Sequence, residues 1–149
     1  MVKEVNGMTL KAIGVVRNEI KQPSMFDSEE VVSEIVIDTN LTEALDNLDE
    51  FSHLIVLYWI HKAAGQPPIK VHPMGKHKLP LKGVFATRSP NRPNPIGKTT
   101  VRLLERQGNI LKVKGLDAIN GSPVIDIKPY LPGYDSVARA KVPPWVSQR

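Results

Sequence analysis

The stretch Gly83-Val-Phe-Ala-Thr-Arg-Ser-Pro-Asn-Arg-Pro-Asn-Pro-Ile-Gly97 divides the chain, because no helix can run through it. Pro90, Pro93 and Pro95 fix their own φ, lack an amide donor, and bias Ser89, Arg92 and Asn94 toward extended backbone. The segment is therefore a loop, stiffened before any ligand arrives. It presents Arg88 and Arg92, whose planar guanidinium forks suit a carboxylate or a phosphate. A proline-rich surface turn with solvated arginines has the same spacing, and spacing alone does not choose between them.

The apolar segments on either side read as strands. Met8 to Val16 is rich in β-branched and apolar residues, and Val31 to Ile37 is strand-like. Asn18 to Asp27 between them reads as a loop with no assigned role. Thr39 or Asn40 is placed to cap a short amphipathic helix through Leu41, Leu45 and Leu48, with Glu43 in its first turn. His53-Leu-Ile-Val-Leu-Tyr-Trp-Ile-His61 is the most apolar run, and nine residues suit a buried strand rather than a helix or a membrane span. Period two sets His53, Ile55, Leu57, Trp59 and His61 on one face and Leu54, Val56, Tyr58 and Ile60 on the other. Lys98 to Arg106 alternates, with Thr99, Val101 and Leu103 on one face and Lys98, Thr100, Arg102 and Arg106 mainly on the other. Gly108-Asn109 then turns the chain into Ile110 to Leu116, a hairpin. Val124 to Leu131 divides into Ile125, Ile127 and Leu131 on one face and Asp126, Lys128 and Tyr130 on the other. The fold class expected is mainly β, a β-barrel-like or sandwich domain with one short helix. A length of 149 residues suits one domain spanning 1–149, with a core of about 10–135 and an extended tail of about 136–149 in which Trp145 docks on the domain or on a second subunit.

The chain has no cysteine, which excludes disulfides, thiol nucleophiles, iron–sulfur clusters and cysteine-ligated zinc together. His72 and His77 lie on a basic connection, residues 63–82, with no carboxylate beside them, so no metal is expected. There is no apolar run of spanning length and no N-terminal apolar h-region, from which we expect no membrane association and a cytoplasmic location. The net charge of +5 is unevenly distributed: residues 1–51 carry four Lys/Arg against eleven Asp/Glu, and residues 52–149 carry sixteen against four. A basic excess of that size points to a polyanion such as RNA, unless the two regions pack together and neutralise each other.

Chemistry-bearing residues collect in three places. His61 ends the apolar strand and is followed by Lys62, where side chains can emerge into a pocket; a satisfied structural histidine is the alternative. Asp126, Tyr130 and Lys128 share a strand face, as a pocket wall or as an exposed face with an ion pair of little energetic weight. Lys70, Lys76, Lys78 and Lys82 stud the long connection and can track a phosphate backbone. No Gly-x-Gly-x-x-Gly occurs, so a Rossmann-type nucleotide site has no support.

Three motifs in one order, the proline loop from Phe85 to Gly97, the strand from His53 to His61, and Asp117-Ala-Ile-Asn-Gly-Ser-Pro-Val-Ile-Asp-Ile-Lys-Pro-Tyr-Leu-Pro132, resemble the TsaA/TrmO family over residues 10–145. The resemblance implies a small homodimeric β-barrel methyltransferase. Its cofactor would be S-adenosylmethionine and its substrate tRNA carrying N6-threonylcarbamoyladenosine beside the anticodon, methylated on the exocyclic nitrogen. It places cofactor contacts on His61, Lys62, Arg88, Lys98, Asp117, Ala118, Ile119 and Asn120. Departures from the family pattern are Lys21-Gln-Pro-Ser-Met25 where bacterial members have Pro-Arg-Gln, Lys98 where a hydrophobic residue is usual, and Asn120-Gly-Ser-Pro123 in place of Asp-Gly-Thr-Pro.

With a sulfonium methyl donor, alignment and water exclusion supply most of the acceleration, and a base must take the proton from nitrogen. Asp126, Tyr130 and His61 are the candidates. Arg92, with Lys70, Lys76, Lys78, Lys82, Arg102 and Arg106, would hold RNA phosphates, and Arg92 can alternatively brace its own loop. Two other classes fit the residues: a non-catalytic RNA-binding module, and a methyltransferase for a different small-molecule acceptor. The first sits poorly with an aromatic content of 5%, since single-stranded bases are held by stacking.

Overall fold

A computed structural model describes residues 2–5, 7–22, 28–63 and 65–146. Pro23, Ser24 and Met25, part of the first loop, and the last three residues of the tail lie outside the described residues. In chain order the strands are β1 (Val2–Val5), β2 (Met8–Lys11), β3 (Gly14–Arg17), β4 (Val32–Ile37), β5 (His53–Trp59), β6 (Lys70–Val71), β7 (Lys82–Gly83), β8 (Ile96–Gln107), β9 (Ile110–Lys114) and β10 (Pro123–Pro129). One short α-helix, α1, covers Pro132–Asp135, and the remaining helical segments are 3₁₀ turns. The chain forms two compact units, Met1–Lys62 with Pro95–Tyr130, and Ala63–Asn94 with Leu131–Arg149.

The first unit is a closed barrel in the order β10-β3-β4-β9-β8-β5, with every neighbouring pair antiparallel. The barrel-like, mainly β expectation holds. Closure satisfies every strand edge within the ring. Period two fills the interior: Leu54, Val56 and Tyr58 of β5 meet Val101 of β8, Leu111 and Val113 of β9, Ile35 and Ile37 of β4, Val16 of β3 and Val124 of β10 in one buried cluster. The β8–β9 hairpin turns at Gly108 (φ +59°), and Asn109 anchors it by donating from Nδ2 to the Ile37 carbonyl at 2.6 Å.

The barrel differs from the sequence expectation at three points. Met8 to Val16 is two strands, β2 pairing with β1 and β3 joining the barrel, because Ile13 leaves one ladder to donate to the Val124 carbonyl at 2.8 Å and accept from Asp38. At Gly14 a Cβ would stand 2.4 Å from the Val36 carbonyl oxygen, so a side chain there would block the approach of β3 to β4. The expected amphipathic helix is two 3₁₀ segments, Thr39–Leu45 and Leu48–Glu50, and Asn47 at φ +69° stands at the start of the second. Asp38 rather than Thr39 or Asn40 occupies the cap position, and it makes no side-chain cap bond. Thr39, Asn40 and Thr42 are weak helix formers, and seven residues do not offset the cost of nucleation. On β10 the register against β5 shifts between Val124 and Asp126. This bulge turns both Val124 and Ile127 toward the core, a spacing of three that simple alternation does not produce.

In the second unit β6 and β7 form a two-stranded ladder, Lys70 opposite Gly83 and Val71 opposite Lys82, that ties together what the sequence suggests is open loop. Pro73 and Val84 are the buried first residues of two 3₁₀ turns, Pro73–Gly75 and Val84–Ala86. Trp145 packs inside this unit, with the Lys82 ammonium 5.7 Å from its ring centroid. Among the described residues no helix is long and apolar enough to cross a membrane.

Candidate functional site

Four strand ends meet at one end of the barrel, because β10 pairs with both β3 and β5, and β5 pairs with β8. There the chain leaves β3 through Asn18, leaves β5 through His61 and Lys62, enters β8 at Ile96, and enters β10 after the irregular segment 116–122. That segment carries most of the site, and it is irregular backbone with a turn at Asn120-Gly121, held by hydrogen bonds to its neighbours. Asn18 makes the largest share. Its Nδ2 donates to the Ala118 carbonyl and to Ser33 Oγ, both at 2.9 Å, and its Oδ1 accepts from the Ile20 amide at 2.9 Å. Its own amide donates to Asn120 Oδ1 at 3.0 Å, while the Asn120 amide donates to the Ile20 carbonyl at 2.6 Å.

Tyr58 supports the same segment from inside the barrel. Its ring is 5% exposed, and its hydroxyl donates to the Asp117 carbonyl and shares a bond with Thr99 Oγ1 at 3.1 Å. Ser122 Oγ closes the segment onto the Ile119 carbonyl at 2.7 Å. Ala118 and Ile119 are buried, Ala118 in the barrel core, while Asp117 and Asn120 on either side of them are exposed. Gly121 adopts φ +87°, and a Cβ on it would lie 3.7 Å from His61 Nε2, which puts the imidazole beside the segment's far end. Lys62 reaches across to donate to the Lys21 carbonyl at 2.8 Å. Burial, and then the neighbouring Lys62 charge, lower the His61 pKa below its usual 6.5, so the ring favours its neutral, proton-accepting form.

The structure thus brings together His61, Lys62, Asp117, Ala118, Ile119 and Asn120, while Lys98 on β8 is exposed and pairs with Leu57, two residues before the end of β5. Asp126 is the fourth residue of β10, opposite Leu57, where its carboxylate pairs with Lys128 at 2.8 Å and accepts the Ile127 amide at 2.9 Å. That ion pair raises the Lys128 pKa. Tyr130 is elsewhere: its amide donates to the His53 carbonyl at 3.0 Å and its ring stands edge-on to His53, with centroids 6.4 Å apart. β5 is seven residues long, so at roughly 3.3 Å per residue about 20 Å of strand separates its two ends, with Tyr130 at one and His61 beyond the other. Arg102 also lies opposite His53. Arg106 is spent on the barrel, bonding Asp46 Oδ1 and the Thr42 carbonyl at 3.1 Å each and the Gly108 carbonyl at 3.0 Å.

The second unit holds Arg88, Arg92 and the four lysines 70, 76, 78 and 82. Arg92 donates from Nη1 to the carbonyls of Thr87 and Ser89, both at 3.0 Å, and so braces the proline loop. Arg88 and Lys76 and Lys78 are exposed. The unit carries nine Lys/Arg and one Asp/Glu, against eleven and fourteen in the barrel unit, so the whole positive excess of the chain belongs to it. The His72 and His77 rings lie 5.0 Å apart, and among the described residues no three metal-binding side chains gather.

Asn18, Tyr58, Gly97 and Gly121 shape the site and were not singled out by sequence reasoning. For Tyr58 a signal existed: a tyrosine on the inward face of a buried strand must find a partner for its hydroxyl. For Asn18 there was none, because the partners by which it holds the segment, Ala118 and Asn120, are 100 and 102 residues away.

The chain matches the family described as the tRNA-methyltransferase O N-terminal domain over residues 17–136. It is 49% identical over 134 residues to a probable S-adenosyl-L-methionine-binding protein of Methanothermobacter thermautotrophicus, covering 86% of this chain and 93% of that one. A protein of the same description from Archaeoglobus fulgidus is 47% identical over 139 residues, 89% of this chain but 37% of that protein. The tRNA (adenine(37)-N6)-methyltransferase of Escherichia coli is 35% identical over 150 residues, covering 91% and 63%. A crystal structure of TrmO from Pseudomonas aeruginosa superposes with a TM-score of 0.73 at 31% identity, covering 89% of this chain and 60% of that one. The chain therefore spans nearly all of one relative and less than two thirds of the others. With the barrel, the proline loop and the 117–132 segment in place, the chain belongs to the family of the tRNA-methyltransferase O N-terminal domain.

Proposed function

We propose that this protein is an S-adenosylmethionine-dependent methyltransferase that acts on the exocyclic nitrogen of an adenosine in tRNA, at the position next to the anticodon, with N6-threonylcarbamoyladenosine as the accepting nucleoside. The observation that carries the proposal is the convergence of His61, Lys62 and the tied segment Asp117–Asn120 at one barrel end. The donor set suits the cofactor. Apolar Ala118 and Ile119 between exposed Asp117 and Asn120 suit the base of a nucleoside and its polar edges, and Lys62 and Lys98 would supply positive charge for a carboxylate. Arg88 keeps the role that the resemblance implies, pairing with an anionic group of cofactor or substrate.

Bound S-adenosylmethionine supplies a methyl group already activated by its sulfonium. The protein's residues then have two tasks, to hold the acceptor nitrogen in line and to take its proton as the nitrogen–methyl bond forms. Of the three candidate bases, Asp126 is engaged by Lys128, and Tyr130 lies at the far end of β5. His61 is beside the segment and biased to its neutral form, so it is the base in this proposal. The lysines of the second unit, with its net charge of +8, are assigned to RNA phosphates. Arg102, at the Tyr130 end of β5, is a further phosphate contact, whereas Arg92 and Arg106 have loop-bracing and barrel-bracing roles. Both units act as one functional domain, the protein works as a homodimer, and it works in the cytoplasm. Isothermal titration with S-adenosylmethionine in EDTA is expected to give about one site per subunit, and absence of both heat and thermal protection would remove the methyltransferase reading.

A further inference from the structure

Aromatic residues make up 5% of the chain, yet the described ones are not evenly placed. Tyr58 and Trp59 are buried in the barrel, while among the described residues the two most exposed aromatic residues, Phe85 at 79% and Tyr134 at 86%, both belong to the second, basic unit. We propose that Phe85 is a stacking platform for an unpaired base of the RNA whose phosphates this unit grips. The proposal rests on the RNA reading above and adds to it a base-binding residue.

Phe85 is presented by a turn that is itself fixed. It is the middle residue of the 3₁₀ turn Val84–Ala86. On one side Val84 is buried and donates its amide to the Ile69 carbonyl at 2.8 Å. On the other, Thr87 is buried and bonds the Val84 carbonyl twice, through its amide at 3.1 Å and its hydroxyl at 2.8 Å. Arg92 then holds the carbonyl of Thr87. Val84 before the ring and Thr87 two residues after it are buried and tied, so the ring on the turn between them is held in water on a fixed base. A phenyl ring there gains nothing from folding, and rigid presentation lowers the entropy lost when a flat partner arrives.

The surroundings select the partner. Lys82 and Arg88 lie three residues to either side of Phe85, and the whole segment Ala63–Asn94 contains six Lys/Arg and no Asp or Glu. Ile69, exposed and bonded to the same turn, extends the apolar surface. A second copy of this face would set like charges against each other, whereas a nucleic acid brings a flat base and neutralising phosphates together. Tyr134 is the weaker choice, because it sits beside Asp135, whose carboxylate accepts the Leu131 amide and would face the same phosphates.

The test uses an anticodon stem-loop RNA with 2-aminopurine in its loop, titrated with the full chain and with Phe85→Leu and Phe85→Trp. Wild type is expected to bind and to quench the 2-aminopurine by stacking. Phe85→Leu keeps an apolar side chain but has no ring, and should weaken binding roughly five- to hundredfold and abolish the quench. Phe85→Trp should restore both. Thermal unfolding and light scattering on each variant show whether fold and subunit mass are kept. Unchanged affinity or quench in Phe85→Leu overturns the stacking role, as does a change in subunit mass, which would make Phe85 a protein contact. Binding by wild type without quench overturns stacking while leaving RNA binding intact. Absence of any binding by wild type overturns the RNA reading and this proposal with it.

Discussion

Tyr58 and Gly97 are partners across β5 and β8, and the tyrosine ring lies so close to the glycine that a Cβ at position 97 would come within 2.4 Å of two ring carbons. The missing side chain is what lets the ring lie flat and carry its hydroxyl to the Asp117 carbonyl. Gly97→Ala should therefore displace Tyr58, destabilise the fold by about 1–3 kcal/mol through overpacking, and loosen the 117–120 segment. Urea unfolding gives the first effect and a cofactor titration the second. Normal stability with normal affinity would mean that the ring relaxes without consequence.

Asn18 ties three elements at once, so its loss should be felt at a distance from the residue itself. Asn18→Ala removes the Nδ2 donor to the Ala118 carbonyl and Ser33 Oγ and the Oδ1 acceptor of the Ile20 amide, while the backbone bond to Asn120 Oδ1 remains, and is expected to cost about 1–3 kcal/mol. Cofactor affinity should fall with it. If stability falls but affinity is untouched, the segment holds its shape without Asn18.

His61 gives a pH signature with a defined sign. Its folded pKa lies below 6.5, so the unfolded chain binds the proton more readily, and the contribution to stability is complete above 6.5 and declines as pH falls through the folded pKa. Replacing it by Gln should flatten that part of the stability–pH profile. The same substitution should lower the methylation rate by about 10²- to 10⁴-fold if His61 takes the proton. A flattened profile with a normal rate would separate the titration from catalysis.

Arg88 and the lysines of the second unit should fail differently. Arg88→Ala is expected to weaken cofactor binding, with about 2–5 kcal/mol lost if the guanidinium pairs with a desolvated anionic group. Replacing Lys70, Lys76, Lys78 and Lys82 together should leave cofactor binding intact, weaken tRNA binding, and flatten its dependence on salt, since each lost phosphate contact releases roughly one counterion fewer. An unchanged salt slope in the quadruple variant would make these lysines a solvated face.

Local signals carried much of the fold. The alternation of Leu54, Val56 and Tyr58 and the Gly108-Asn109 turn depend on residues close in sequence, and both were readable. Closure of the barrel by β10 against β3 was not, because pairing across more than a hundred residues leaves no periodic trace. The bulge at Ile125 was hidden for a similar reason: it is an extra residue of β10 that shows only in the register against β5. At the site, His61 announced itself as a polar residue closing an apolar strand. Arg106 looked like its neighbours in any count of charge, and only its bonds to Asp46, Thr42 and Gly108 reveal that it braces the barrel. Composition likewise assigned the basic excess to the C-terminal two thirds, whereas three-dimensional partition confines it to the second unit.

Transfer of a methyl group to tRNA can be read in one experiment. Purified protein is incubated with methyl-labelled S-adenosylmethionine and tRNA that already carries N6-threonylcarbamoyladenosine, and the nucleosides are separated by mass spectrometry after digestion. One labelled methyl on the N6-threonylcarbamoyl nucleoside, absent with unmodified tRNA and strongly reduced with the His61→Gln variant, is the expected result. Intact cofactor binding with no labelled nucleoside from either tRNA would contradict it.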